Sequence, residues 1–176
     1  MISATGVHTA PPALRDAVLL AARLGIGIAF AAHGWQKVRL GLDAVTAGMD
    51  KAGVPFPRAS AVFATAAELG GGVALALGAA TVLAGVLLAM VMTGAFTFVH
   101  FGRTPFVSEG GWELVAAFGT ATLLIAVVGP GRVSVDHLVG RMLTARHREV
   151  DLAGDAAEVD VRAGEPGRAG EAARRR

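Results

Sequence analysis

Seven polar or ionisable side chains stand inside, or at the ends of, stretches otherwise apolar enough for a lipid bilayer: Arg23, His33, Gln36, Lys37, Glu68, His100 and Glu113. A charged group in hydrocarbon is costly and calls for a partner or a polar cavity, so each marks a candidate functional position. Arg23 and Glu68 are set deepest. Arg23 precedes Trp35 by 12 residues, about 18 Å along a helix, and Glu68 follows Ser60 by eight, about 12 Å. The first span leaves the membrane on the face where the second enters, and a long arginine side chain covers the difference. The expectation is an Arg23–Glu68 ion pair.

Arg23, Gly27, Phe30, Gly34 and Lys37 advance by 4, 3, 4 and 3, so they share one helix face, and the glycines leave that face open to a neighbour. A self-neutralising pair would only fix helix register. The functional alternative makes it the floor of a polar cavity beside Phe30 and Phe63, with His33, Gln36, Lys37, His100 and Glu113 at the mouth. A cavity of that kind suits an acceptor, a proton or an anion, and all seven polar residues are candidates for binding a cofactor there. Two histidines without a defined carboxylate partner do not make a metal site, so no metal ligand is assigned. No catalytic residue is assigned either. Ser134, Asp136 and His137 carry the letters of a catalytic triad, but neighbours in one short segment do not converge as a triad must, and Ser134-Val-Asp136 reads as a helix cap. Gly70-Gly-Gly72 lies inside a span with no strand before it, so it is not a phosphate-binding loop.

The elements that position these groups follow from composition. With 53% hydrophobic residues in 176, the chain is too apolar for one soluble domain. Of its 16 basic and 14 acidic residues, only 13 lie in residues 1–130, so a nearly uncharged body precedes a charged tail. Absence of cysteine excludes disulfides, thiol catalysis and iron–sulfur ligation by this chain. A net charge of +2 with no basic stripe interleaved with aromatics excludes nucleic acid as a partner.

Between Glu68 and Arg103 run 34 residues without a formal charge. As one helix they would reach roughly 50 Å, against a bilayer core of about 30 Å, so the run folds back once, at Gly78-Ala-Ala-Thr81. The expected fold is all-α and integral to the membrane. It is a four-transmembrane-helix bundle over 15–131, with spans at about 15–34, 60–79, 82–101 and 112–129, and the last is ended by Gly129-Pro-Gly131. An N-terminal segment, 1–14, precedes it. Leu42, Val45, Met49 and Ala52 recur at helical spacing and predict a short interfacial helix between the first two spans. Residues 132–149 are expected to form a juxtamembrane amphipathic helix lying on lipid, and 150–176 a disordered charged tail. Basic residues near the membrane number five on each side, and the further arginines of the tail place the termini in the cytoplasm.

The order of Arg23-Leu-Gly25, His33-Gly-Trp-Gln-Lys37, Gly53-Val-Pro55, Glu68-Leu-Gly-Gly-Gly72, Gly110-Gly-Trp-Glu113 and Gly129-Pro-Gly131 resembles the DoxX family of small bacterial membrane proteins, over about residues 15–136. The resemblance implies a four-helix bundle in the plasma membrane and a link to redox chemistry. One related branch looks like the membrane subunit of thiosulfate:quinone oxidoreductase. DoxX itself is linked to a complex with superoxide dismutase and a sulfurtransferase. Three functions follow as expectations: a non-catalytic membrane subunit or anchor of a redox or oxidative-stress complex, a quinone-binding oxidoreductase subunit using the Arg23/Glu68 cavity, or a proton-linked transporter. Transport by four short spans would require a homo-oligomer. Without cysteine, sulfur or electron chemistry falls to a partner or a bound quinone.

Overall fold

The computed structural model describes residues 11–148, which are helical apart from turns and contain no strand. The expected segment 1–14 falls mostly outside the described residues, and the expected tail 150–176 entirely so. Helix α1 spans Pro12–Leu40, α2 Leu42–Lys51, α3 Pro57–Leu77, α4 Thr81–His100 and α5 Glu113–Val128. Three of these, α1, α3 and α4, are long and apolar enough to cross a membrane. The fourth apolar helix, α5, has 16 residues, about 24 Å of helix. Residues through His137 form one compact unit. Residues 138–148 belong to a second; they are helical, with Leu138, Met142 and Leu143 exposed.

The bundle is built inside out relative to a protein in water. Its outer surface carries Val18, Ile28, Leu83, Leu124 and Val127, the last 85% exposed, while Arg23, Glu68, Thr81 and Thr122 are buried. Such a surface is stable only against lipid. The core is small: Phe30, Leu75, Ala84, Leu88 and Ile125 form its main cluster. Without a hydrophobic drive between helices in lipid, close packing through small residues holds the bundle together. The buried face of α1 is Arg23, Gly27, Phe30 and Gly34, the face drawn by the 4-3-4 spacing.

At the crossing of α1 and α3, a Cβ on Gly27 would sit 2.6 Å from the Gly72 carbonyl oxygen and 2.7 Å from the Ala76 nitrogen. Both obstacles are backbone, so the helices would have to separate. Gly27→Ala is expected to cost about 1–3 kcal/mol, read as a lower midpoint of denaturation in mixed micelles. Gly25→Ala on the same helix, where a Cβ meets nothing within 4 Å, is expected to be neutral or to stabilise by about 0.5–1 kcal/mol.

Two helices widen locally. In α3 the turn Ala67–Gly71 is π-helical, and in α4 so is Phe96–His100. Wide turns of this kind insert one residue and re-aim the side chains around them. Here they carry Glu68 and His100.

Candidate functional site

Lys37 reaches from α1 to the Glu68 carboxylate on the wide turn of α3, and the two form a hydrogen-bonded ion pair. Arg23 is elsewhere. Its Nη2 donates to the Val133 carbonyl, and its guanidinium passes over Gly78, where a Cβ would collide with it. The expected Arg23–Glu68 pair does not form, and the cavity has no Arg23 in its wall.

Helix register gives the reason. Gly27 lies against Gly72 and Ala76, and Gly34 against Leu69, so Arg23 is level with Gly78 and Glu68 with Gly34. The two residues are therefore about 11 positions, roughly 16 Å, apart along the axis. Trp35 and Ser60, used as matching ends, are not level. Side-chain direction adds to this, because Cα–Cβ bonds tilt toward a helix's N-terminus. Along α1 that carries Lys37 inward, toward Glu68, and Arg23 outward, toward the opposite membrane face.

The ion pair lines a cavity of about 260 Å³ between α1, α4 and α5. Phe30, His33, His100 and Phe118 share its wall, and the two phenylalanines meet edge to face with ring centroids 5.4 Å apart. Of the seven residues singled out by sequence, four converge here: His33, Lys37, Glu68 and His100. Gln36 points to the exposed side of α1. Glu113 accepts a hydrogen bond from the Val107 N–H at 2.8 Å; since Val107 lines the cavity, Glu113 positions its rim without entering it.

Both histidines have one ring nitrogen committed. Nδ1 of His33 lies 2.9 Å from the Ala29 carbonyl, and Nδ1 of His100 lies 3.0 Å from that of Gly110. A carbonyl only accepts, so in each case Nδ1 carries the proton and the neutral ring keeps Nε2 as an acceptor. The cavity thus offers an ammonium donor, a carboxylate acceptor and two imidazoles able to receive a proton, set among aromatic walls. Sequence reasoning missed Phe118 and Met92, whose types alone do not distinguish wall from lipid contact.

At the other end, the segment after α5 folds back as a clasp. The Asp136 carboxylate accepts from the backbone N–H of Ala80 at 2.7 Å and of Thr81 at 2.9 Å, and the Asp136 N–H donates to Gly78. Asp16 accepts from the Arg132 N–H at 3.1 Å. Ser134 caps the following turn, as its spacing suggests, by accepting from the His137 N–H, but Asp136 caps α4 instead of its own helix. Ala80 is held there at φ +45, a left-handed conformation unusual for a residue with a Cβ.

Burial alone would raise the Asp136 pKa. The hydrogen bonds from Thr81 and Ala80 and the nearby Arg23 charge outweigh it and hold the carboxyl below its ordinary range. A carboxyl more acidic folded than unfolded contributes stability that is complete above its unfolded pKa, about 3.9, and lost as pH falls through the lower folded value. The denaturation midpoint is expected to drop below about pH 4, and Asp136→Asn to start lower at neutral pH and lose part of that dependence.

Residues 18–101 match the DoxX family model, a range that takes in Arg23, His33, Gln36, Lys37, Glu68 and His100 and stops before Glu113. Inner membrane protein YphA of Escherichia coli (strain K12) is 29% identical over 130 residues, covering 70% of this chain and 91% of that protein. No solved structure matches the chain significantly.

Proposed function

We propose that this multi-pass protein of the plasma membrane, whose residues 18–101 match the DoxX family model, is the membrane subunit of an oxidoreductase assembly and holds a quinone ring in the Lys37/Glu68 cavity. The observation that carries the reading is the convergence of a half-buried ion pair and two histidines on one aromatic-walled cavity within the bundle. At about 260 Å³ the cavity is at the small end for ligand pockets, the scale of a single substituted ring.

A quinone supplies two-electron, two-proton redox chemistry. The residues fit one by their donor set. Lys37 would donate to a carbonyl oxygen, and Phe30 and Phe118 would flank the ring. His33 and His100, with Nδ1 held by backbone carbonyls, would offer Nε2 to the oxygen-bound protons of the quinone's reduced form. Glu68 holds the Lys37 ammonium in place, so it is a positioning residue. The chain has no cysteine, so sulfur and electron transfer belong to soluble partners, of the superoxide dismutase or sulfurtransferase kind that the family resemblance implies.

Purification in mild detergent followed by mass spectrometry tests this. Quinone and an oxidoreductase partner are expected with the wild-type protein. Quinone is expected to fall at least about tenfold in the Lys37→Met/Glu68→Leu double variant, a loss of about 1.4 kcal/mol in binding. Recovery of neither quinone nor partner would overturn the reading.

A further inference from the structure

A second cavity, of about 420 Å³, lies between α2, α3 and α4 on the other side of the ion pair. Lys37, Glu68 and Ala95 line both cavities, so the pair and one alanine stand in the wall that the two share. The second cavity differs in kind. Met49, Phe63, Met90, Val91 and Phe98 make its walls, and away from the pair the one polar side chain is Ser60, whose hydroxyl already donates to the Pro55 carbonyl at 2.8 Å. A polar occupant would find no partner there and would lose its hydration. Phe63, Met90 and Phe98 are each at least 40% exposed on the outer surface, so the groove opens sideways to lipid. The face of α2 that carries Val45, Met49 and Ala52 covers it. Methionines at two positions suit a chain that has no fixed shape.

We infer that this groove takes the hydrocarbon tail of the ligand whose ring occupies the first cavity, so that the site recognises a tailed amphiphile entering laterally from the bilayer, its head passing the Lys37–Glu68 pair. The inference rests on the quinone reading and adds to it the tail, the route and the residues that select for both. Charge grades along the path: a lipid-facing apolar mouth, an ion pair at the junction, and a polar, aromatic chamber beyond. A ligand with a polar head and a long apolar tail is matched at every point, and a tail-less ring leaves the groove unused.

Two glycines make the test clean. Gly48 on α2 and Gly94 on α4 both line the groove, and a Cβ built on either meets no heavy atom within 4 Å. Gly94→Leu and Gly48→Leu therefore fill the groove without a backbone collision. Binding of a decyl-substituted benzoquinone and of the same ring bearing only methyl groups is measured in phosphatidylethanolamine/phosphatidylglycerol nanodiscs, corrected for partition into lipid. The wild-type protein is expected to prefer the decyl compound by about tenfold, and each leucine variant to lose that preference while binding the methyl compound within about twofold of wild type. The unchanged methyl compound reports that the variant is folded. Equal affinities in the wild type, or a decyl preference that survives both leucines, overturns the tail groove and leaves the ring cavity standing. So does a copurified phospholipid that the leucines displace and the decyl compound does not. Failure of the methyl compound to bind wild-type protein overturns both readings together.

Discussion

Lys37→Met is expected to lower the stability of the bundle by about 3–5 kcal/mol, and a second substitution, Glu68→Leu, to return most of it. The single change leaves a carboxylate whose side chain is only 4% exposed, on a short stem in the wide turn of α3, with no other salt-bridge partner among the described residues. Glu68→Leu alone is expected to cost less, about 1–3 kcal/mol. The orphaned ammonium is already 25% exposed and has a four-carbon stem with which to move toward the mouth of the cavity. With both charges removed, apolar side chains of similar size fill the space, and replacing a buried pair in this way is often neutral or stabilising. Reversible denaturation in mixed micelles, run as a double-mutant cycle, should give a coupling of at least about 2 kcal/mol. Additive losses would show that the two groups do not interact. A stable double variant that no longer retains quinone would place the value of the pair in binding.

Arg23 is expected to behave in the opposite sense. Arg23→Ala should lose about 3–5 kcal/mol, because it empties a site only 1% exposed beneath the clasp. Arg23→Met, which keeps most of the bulk, should stay within about 1 kcal/mol of wild type. One nitrogen of the guanidinium is bonded to the Val133 carbonyl, and Nε and Nη1 have no acceptor among the described residues, so the charge itself gains little from its surroundings. Asp136, the nearest counter-charge, keeps its hydrogen bonds from Ala80 and Thr81 when Arg23 is gone. Trypsin provides a second readout at the exposed Arg132, which should be cut faster in the alanine variant, where the clasp is loosened, and little changed in the methionine variant. Equal damage from both substitutions would mean that the charge, and not the packing, holds the segment.

The architecture was open to sequence reasoning because it rests on one-dimensional quantities. An uncharged run of 34 residues must cross the membrane twice, and the spacing of Arg23, Gly27, Phe30 and Gly34 gives the buried face of α1 without reference to any neighbour. The partner of Glu68 depends instead on how far α1 and α3 slide past one another. That offset is decided by the Gly27–Gly72 and Gly34–Leu69 contacts, which involve residues 35 or more apart and have no local signature. Trp35 and Ser60 are not level, so a register that matches them is off by several residues and pairs Glu68 with the wrong cation; Lys37 lies on the helix face that the 4-3-4-3 spacing gives. The wide turns were similarly hidden, since nothing in Ala67–Gly71 or Phe96–His100 distinguishes them from ordinary helix until the packing is known. Asp136 reads as a local cap because its true partners, Ala80 and Thr81, lie more than 50 residues earlier.

The clasp has a mechanical consequence. Asp16, Arg23 and Asp136 pin the segment after α5 to the start of α1 and to the α3–α4 turn, all at one membrane face. Rods tied at one end, and bridged at the other by α2, the 101–112 connection and the Lys37–Glu68 pair, pivot about the tied end. Across a hydrocarbon core of about 30 Å, a change in helix inclination of about 5° moves the far end by roughly 2.6 Å while the near end stays in place. The far end is where the ion pair and both cavities lie, so small tilts that leave the pinned end undisturbed become changes in the spacing of the walls around the two cavities.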